Sequence, residues 1–487
     1  MKACRVVLRS DRQTFTIPFG QLIPRHLTDA KSCGTSSSVC QPPAFNATDV
    51  LGIQLSYYAA DKGWPTGVGT PGTFDIWIDD VAFTTDDTGL QTRAGFPLSS
   101  AIAGSMGACK LPTGPAASAK YLVPAYNQWK STFVSGNKVL RPENQNDTTS
   151  EGIAFGMLLA LNFNDKTLFD SLYGTWTTNT PTGTTLMNWC LGGSGGGTGT
   201  ACVPSVGSAT GADEDVAFAL LQADKVFGGG GAYKASAMPM IADIWTNDID
   251  STGASPTLLP KGGSKYASPN GAVTSPTYFA PAYYAAFKAA GDSTHNWDGV
   301  IGAVYTALNT SSPTGLAGTN SNGLFPAWCS ASCSSASPRT TDTTDVLYQY
   351  DSHRIPMRIG LDFCFTGKMD AKTYVAKTTT FFATNANAGK NGMGRIFDFY
   401  DPTTSSVPSS GITIANNSAS IIGTAAVGAM ADGTNLQFIN DAYQAVFDLV
   451  TRGTLDTTDL TAKSPYSYYN ATVGLLTLLM MTGNFSH

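Results

Sequence analysis

Residues 148–165 read TTSEGIAFGMLLALNFND, and the fold class turns on this stretch. Three hydroxyl residues, Thr148, Thr149 and Ser150, precede one acid, Glu151, and from Ile153 to Phe163 apolar side chains fill almost every position. A half-buried strand would alternate, and a surface helix would keep a polar back. A run this long that is apolar on most of its circumference reads as a helix buried on all sides. Working outward, the texture repeats in YLVPAYNQWK from Tyr121, YFAPAYYAAFKAAG from Tyr278, SIIGTAAVGAM from Ser420 and DAYQAVFDLV from Asp441. Val216, Leu220, Ala223 and Phe227 fall at spacings of four, three and four, as do Val473, Leu476 and Met480 at three and four. Roughly a dozen helices fit at ordinary helix and loop lengths. Helices so apolar are what the inside of a double-layered helical barrel requires.

The first part of the chain is different. TFTIPF (14–19), LGIQLSYY (51–58) and FDIWIDDVAF (74–83) read as strands between Gly/Pro/Ser-rich turns, so residues 1–90 are expected to form a small β-sandwich-like unit. Its last strand, in which Trp77 and Ile78 precede Asp79 and Asp80, resembles the C-terminal portion of jelly-roll carbohydrate-binding modules whose opening strands are missing here. Residues 91–117 are small and Gly/Ala/Ser/Pro-rich, suiting a linker or a wrapped arm, and residues 118–487 form the helical domain.

The chain has 487 residues, of which 13% are charged, and a net charge of -6 with no dense acidic or basic block. Nucleic acid and anionic membranes are therefore not expected partners. No stretch has the roughly 18 to 20 consecutive apolar residues of a membrane span. Of nine cysteines, Cys33 with Cys40, Cys190 with Cys202 and Cys329 with Cys333 lie close in Gly/Ser-rich loops, which favours local disulfides and an oxidising, extracellular compartment. No pair has the spacing of a zinc knuckle, and the four histidines are scattered, so no metal is expected.

Three acids sit where helices should begin. Glu151 follows Thr148 to Ser150, Asp213 follows Thr210, and Asp351 lies five residues before Pro356, which a helix tolerates only in its first turn. Helix-start chemistry accounts for each alone, since Thr148 to Glu151 and Thr210 to Asp213 have capping-box spacing and Asp351 reads as an N-cap. Together they suggest more. In a barrel of alternating helices the N-termini of the inner helices gather on one face, where three acids can converge on one cleft.

These segments carry a resemblance. TTSEGIAFGMLLALNFND, Trp189 in LMNWC, SATGADEDVAFALLQADKVFG (208–228), TYFAPAYYAAF (277–287), GLFPAWC (323–329), YQYDSHRIPMRIGLDF (348–363) and the closing YSYYNATVGLLTLLMMTGNF (466–485) resemble the successive signature segments of glycoside hydrolase family 8. The resemblance implies an (α/α)6 barrel, inverting hydrolysis without a cofactor, and substrates among cellulose, lichenan, xylan and chitosan. It also implies Glu151 as general acid, Asp351 as general base, Asp213 as the aspartate holding the sugar at the cleavage point, Arg354 beside the base, and Trp189 and Tyr350 as aromatic sugar faces. Trp328, Tyr466, Tyr468 and Tyr469 are further aromatic candidates. Three positions depart from the family pattern: Gly211 and Ala327 stand where aspartates are usual, and Met357 where a tryptophan follows the proline. Gly211 is expected to loosen the loop presenting Asp213.

The expectation is thus a secreted, monomeric, inverting enzyme that cuts internal β-1,4 bonds of a glucan, with chitosanase or xylanase as alternatives within the family. A non-catalytic polysaccharide-binding protein is the alternative from another class, and retention of both Glu151 and Asp351 argues against it. Inversion needs a protonated acid and a carboxylate roughly 6.5 to 9.5 Å apart with a water between. A helix N-terminus disfavours a proton on Glu151, and burial with the charge of Asp213 is expected to outweigh it.

Overall fold

Among the described residues, twelve helices of nine residues or more alternate between two layers. They are α1 (Leu122–Phe133), α2 (Ser150–Asn162), α3 (Lys166–Thr178), α4 (Thr210–Phe227), α5 (Ala232–Asn247), α6 (Pro281–Ala289), α7 (Trp297–Asn309), then after the single turn α8 (Thr319–Asn322), α9 (Arg354–Thr366), α10 (Met369–Asn387), α11 (Ala419–Asp432), α12 (Leu436–Arg452) and α13 (Tyr468–Met481). The computed structural model describes residues 106–487 apart from 114–121, 198, 205, 266–272, 310–318, 340–341, 388–391, 409–417 and 453–466, and before them residues 2–3 and 23–24.

The even members of the alternation close a ring. Helix α2 packs on α4, α4 on α6, α6 on α9, α9 on α11, α11 on α13, and α13 back on α2, while α3, α5, α7, α10 and α12 lie outside their neighbours. This is the (α/α)6 barrel expected from the sequence, and burial explains the sorting. All fourteen residues of α11 are buried, and every residue of α2 except Glu151 and of α13 except Tyr469. An apolar circumference can be removed from water only inside a second layer. Outer α12 shows the complementary pattern: Phe438, Ile439, Ala442, Tyr443, Val446, Phe447 and Val450 are buried along one stripe. Inner helices approach closely where side chains are missing. A Cβ on Gly360 of α9 would lie 3.0 Å from the Val427 carbonyl oxygen of α11, and one on Gly428 would lie 3.0 Å from Cβ of Pro356.

The chain divides into two compact units, Met1–Gln91 and Thr92–His487. In the first, the described residues form only the antiparallel pair β1 (Lys2–Ala3) and β2 (Ile23–Pro24). The strands expected at 14–19, 51–58 and 74–83, Asp79, Asp80 and the Cys33–Cys40 pair lie outside the described residues. In the second, residues 106–113, part of the stretch expected as a linker or a wrapped arm, are fastened to the helices. Cys109 is disulfide-bonded to Cys364 of α9, Lys110 N–H donates to the Met430 carbonyl at 2.8 Å, and Met106 is buried. Two of the three local cysteine pairs form as spaced, Cys190–Cys202 and Cys329–Cys333.

Short strands decorate the rims. After β3 (Val134–Ser135) and β4 (Lys138–Val139), β5 (Asp147–Thr149) pairs antiparallel with β6 (Cys190–Gly193), with Thr149 opposite Cys190. Likewise β7 (Val273–Thr274) pairs with β8 (Cys329–Ser330). The β5–β6 pair leads directly into α2, so it aims the start of that helix.

Candidate active site

The N-terminal ends of α2 and α9 bring two of the three acids together. Thr149 is the N-cap of α2, accepting the Gly152 N–H at 3.2 Å, so Glu151 is one position too early to complete a capping box. Its side chain turns outward and is the one part of α2 that is not buried. Asp351 lies in the turn before α9, whose N-cap is His353, so it does not cap that helix either; Pro356 sits in the first turn as expected. Between the acids stands Arg354. Its Nη1 donates to Glu151 Oε2 at 2.5 Å and its Nη2 to Asp351 Oδ1 at 3.2 Å, while the two carboxylate side chains remain 27% and 30% exposed. The guanidinium itself is buried, and its Nε donates to Thr277 Oγ1 at 2.9 Å; that hydroxyl in turn donates to the Asp351 carbonyl. Gln349 fixes the turn through its side-chain oxygen, which accepts the Asp351 N–H at 3.0 Å.

Asp213 is a correction. It lies in the first turn of α4 but is fully buried, with its carboxyl turned to Asp248. A carboxylate with no exposure has no face left for a sugar hydroxyl, and it is not the negative neighbour of Glu151. The α4 carboxylate whose field reaches Glu151 and Arg354 is Asp215, two residues on. Burial pushes Asp215 up to about 6, against the pull of Arg358 and Arg354. Arg358, one turn beyond Arg354, donates from Nη2 to Asp215 Oδ2 at 2.9 Å and from Nη1 to Glu214 Oε2 at 3.1 Å, while Tyr284 Oη donates to Glu214 Oε1 at 2.6 Å. Gly211 does not loosen this region. It is a buried helical residue, and a Cβ there would lie 2.5 Å from Cδ1 of Tyr278, so the missing side chain makes room for that ring.

Aromatic side chains line the same end of the barrel. Trp189 is 39% exposed, the highest value among the large aromatics of the described residues. Its carbonyl accepts the N–H of Ser150, the residue before Glu151, at 2.9 Å, which sets it beside the acid. The strands behind it are fastened by Asp147, which pairs with Arg141 at 2.7 Å and accepts the Cys202 N–H at 2.7 Å. Tyr350 is half-buried; its hydroxyl donates to Asp398 Oδ2 at 2.6 Å, and its carbonyl accepts the Tyr469 hydroxyl at 2.6 Å. Trp328 and Tyr468 are core residues, and Tyr466 lies outside the described residues. Tyr469, one of the further aromatic candidates, and Tyr278, which reading the sequence did not single out, are both half-buried with ring centres 6.0 Å from the Arg354 guanidinium. A signal was present for Tyr469: it is the aromatic at the head of an otherwise apolar inner helix, the place Glu151 holds in α2.

His353 takes no part in proton transfer near neutrality, because burial pushes it down to about 3. Among the described residues no group of three or more His, Cys, Asp or Glu side chains is disposed to hold a metal ion, and no helix is long and apolar enough to cross a membrane.

Known proteins resemble the chain in sequence and in fold. The chain is 32% identical over 370 residues to Endoglucanase A of Acetivibrio thermocellus, covering 74% of this chain and 68% of that protein. It is 31% identical over 373 residues to Endoglucanase C of Ruminiclostridium cellulolyticum, covering 74% and 70%. Among solved structures, a Beta-1,3-1,4-glucanase from Paenibacillus sp.X4 in its apo form superposes with a TM-score of 0.62 at 24% identity, covering 78% of this chain and 96% of that one, which bears on the fold alone. The pattern of the glycosyl hydrolases of family 8 matches residues 109–483, from the Cys109 anchor to the end of the last inner helix, and the chain therefore belongs to that family.

Proposed function

We propose that this glycoside hydrolase is a secreted, inverting enzyme that cleaves internal β-1,4 bonds of a glucan. The observation that carries the reading is the Arg354 fork. It joins two carboxylates 200 positions apart in the chain, and they are the partly exposed acids at the heads of two largely buried inner helices. The names of the 32% and 31% identical relatives, both endoglucanases, support the substrate class. Three disulfides among the described residues favour an oxidising compartment.

In this reading Glu151 gives its proton to the leaving glycosidic oxygen while a water attacks the anomeric carbon from the opposite face and passes its proton to Asp351. The glycosidic bond breaks, water supplies the new hydroxyl, and exchange with solvent restores both acids. Arg354 bridges the two acids and steadies Asp351 once the substrate oxygen takes its place at Glu151. Trp189 offers a flat apolar face to a pyranose ring next to the acid, with Tyr350 and Tyr469 forming the wall near the base. Asp215, not Asp213, supplies the negative field behind Glu151.

Hydrolysis followed by proton NMR on lichenan, carboxymethylcellulose, xylan and chitosan tests the proposal. The α-anomer should appear first, and from β-glucan fastest. Initial release of the β-anomer would exclude inversion, and preference for chitosan or xylan would exclude the glucanase assignment.

A further inference from the structure

Asp213 and Asp248 form a buried acid pair that the hydrolytic chemistry leaves unused. Asp213 is on the first turn of α4 and Asp248 is the C-cap of α5; both are fully buried, and their carboxyls face each other within hydrogen-bonding reach. Neither Asp213 oxygen nor Asp248 Oδ2 has a hydrogen-bond donor in good geometry, and the nearby Ser208 hydroxyl only partly favours a charge on Asp213. Two buried carboxyls in that position satisfy one another only when a single proton lies between them. The remaining oxygen, Asp248 Oδ1, accepts from Ser208 Oγ at 2.9 Å.

From Ser208 a continuous path runs to the cleft. Ser208 and Ser264 exchange backbone-to-hydroxyl hydrogen bonds at 3.0 and 3.1 Å, which pins the Gly207–Ser208 turn. The Gly207 carbonyl accepts the Trp189 N–H at 2.8 Å, Gly207 N–H donates to the side chain of Asn188 at 3.1 Å, and the Trp189 carbonyl accepts the Ser150 N–H. Each main-chain bond of Trp189 thus ends on the turn held by the acid pair or on the helix start that bears Glu151.

We propose that Asp213 and Asp248 share one proton and act as positioning residues, fixing the Gly207–Ser208 turn from which the Trp189 sugar face hangs. The inference rests on the reading of Trp189 as part of a polysaccharide cleft. Charged groups around the pair offer little relief when the proton leaves: Glu214 adds its negative field at Asp213 and Asp243 at Asp248, while Lys261, whose charge burial disfavours, is the cation that acts on Asp248 among the described residues, with Asp250 also drawing on it. Burial first, and then the charge of Asp248, raise Asp213 well above the ordinary 3.8. Between that value and the raised one the folded protein keeps a proton that the unfolded chain has lost. The pair's contribution to stability is therefore full below the ordinary value, declines as pH rises, and is gone once pH passes the raised one. Above it two carboxylates repel; Asp248 keeps its bond from Ser208 but is pushed away from Asp213, which shifts the turn and loosens the platform.

Asp213→Asn tests this, because an amide donates permanently where the shared proton did. The wild type should show a carboxylic-acid carbonyl stretch in the infrared at neutral pH that is lost in Asp213→Asn. Its KM for soluble β-glucan should rise roughly three- to ten-fold as the pH is raised above about 6, where Asp248 loses its proton, with kcat changed less than about two-fold, and the variant should flatten the KM profile. Asp248→Asn should do the same. Absence of the acid band in the wild type, an unchanged KM rise in both variants, or failure of both isosteric variants to fold would overturn the proposal. Tryptophan fluorescence against pH, with Trp189→Phe as the reference, separates the two readings: an intact acid band and a pH-dependent Trp189 signal without any hydrolysis would uphold the pair and sink the cleft assignment.

Discussion

Arg354 and Arg358 stand one turn apart on α9 and each grips two carboxylates, yet their surroundings divide them. The partners of Arg354, Glu151 and Asp351, are nearly a third exposed; those of Arg358, Glu214 and Asp215, are sealed in the barrel core. A buried ion pair is a poor source of net stability, because desolvation offsets the attraction, but breaking one leaves a charge stranded. An ion pair open to a cleft can instead be exchanged for a substrate. The same residue type four positions away is therefore a fold fastener in one case and, in the function proposed above, part of the reactive site in the other.

Removing the acids tests the open cluster most directly. Glu151→Gln and Asp351→Asn should each lower kcat about a hundred- to ten-thousand-fold, with melting temperatures close to wild type. Wild-type turnover in either variant would return that acid to a structural role.

Exchanging the arginines for leucine should invert the pattern. Arg358→Leu leaves Glu214 and Asp215 buried without their cation and should destabilise by about 3 to 5 kcal/mol in urea unfolding. Arg354→Leu, whose partners water can reach, should lose about 1 kcal/mol of stability while losing activity. Equal destabilisation by the two would erase the distinction.

A smaller effect is expected from Gly211→Ala. Its methyl meets the Tyr278 ring, and overpacking of this kind costs about 1 to 3 kcal/mol. Displacement of Tyr278 should appear as a raised KM, and an unchanged KM together with unchanged stability would show that the ring yields freely.

The least effect should follow deletion of residues 1–91, since every residue assigned to the cleft lies beyond them. Hydrolysis of soluble glucan should persist, with loss, if any, on insoluble polysaccharide. Extending the deletion through Cys109 removes its disulfide to Cys364 and should lower stability by about 2 to 4 kcal/mol. EDTA should leave turnover unchanged in both truncated forms, and inactivation by chelation would contradict a two-carboxylate mechanism.

The sequence alone determined the helical class, the inner helices and the helix-head positions of Glu151 and Asp351, because these depend on residues within a few turns of one another. An apolar circumference over 153–163 or 420–430 has one physical outlet, a helix with neighbours all round. Two short-range cysteine pairs were legible for the same reason. The tertiary structure decided what no local pattern encodes: the Cys109–Cys364 bond across 255 positions, the ring of Tyr278 in the space left by Gly211, and the fate of Asp213. Asp213 and Asp215 differ by two residues, hence by roughly 200° around the axis of α4. That rotation turns one carboxyl to Asp248 and the other toward the arginines of α9, and it is set by how α4 packs between α2, α5 and α6, not by its own sequence.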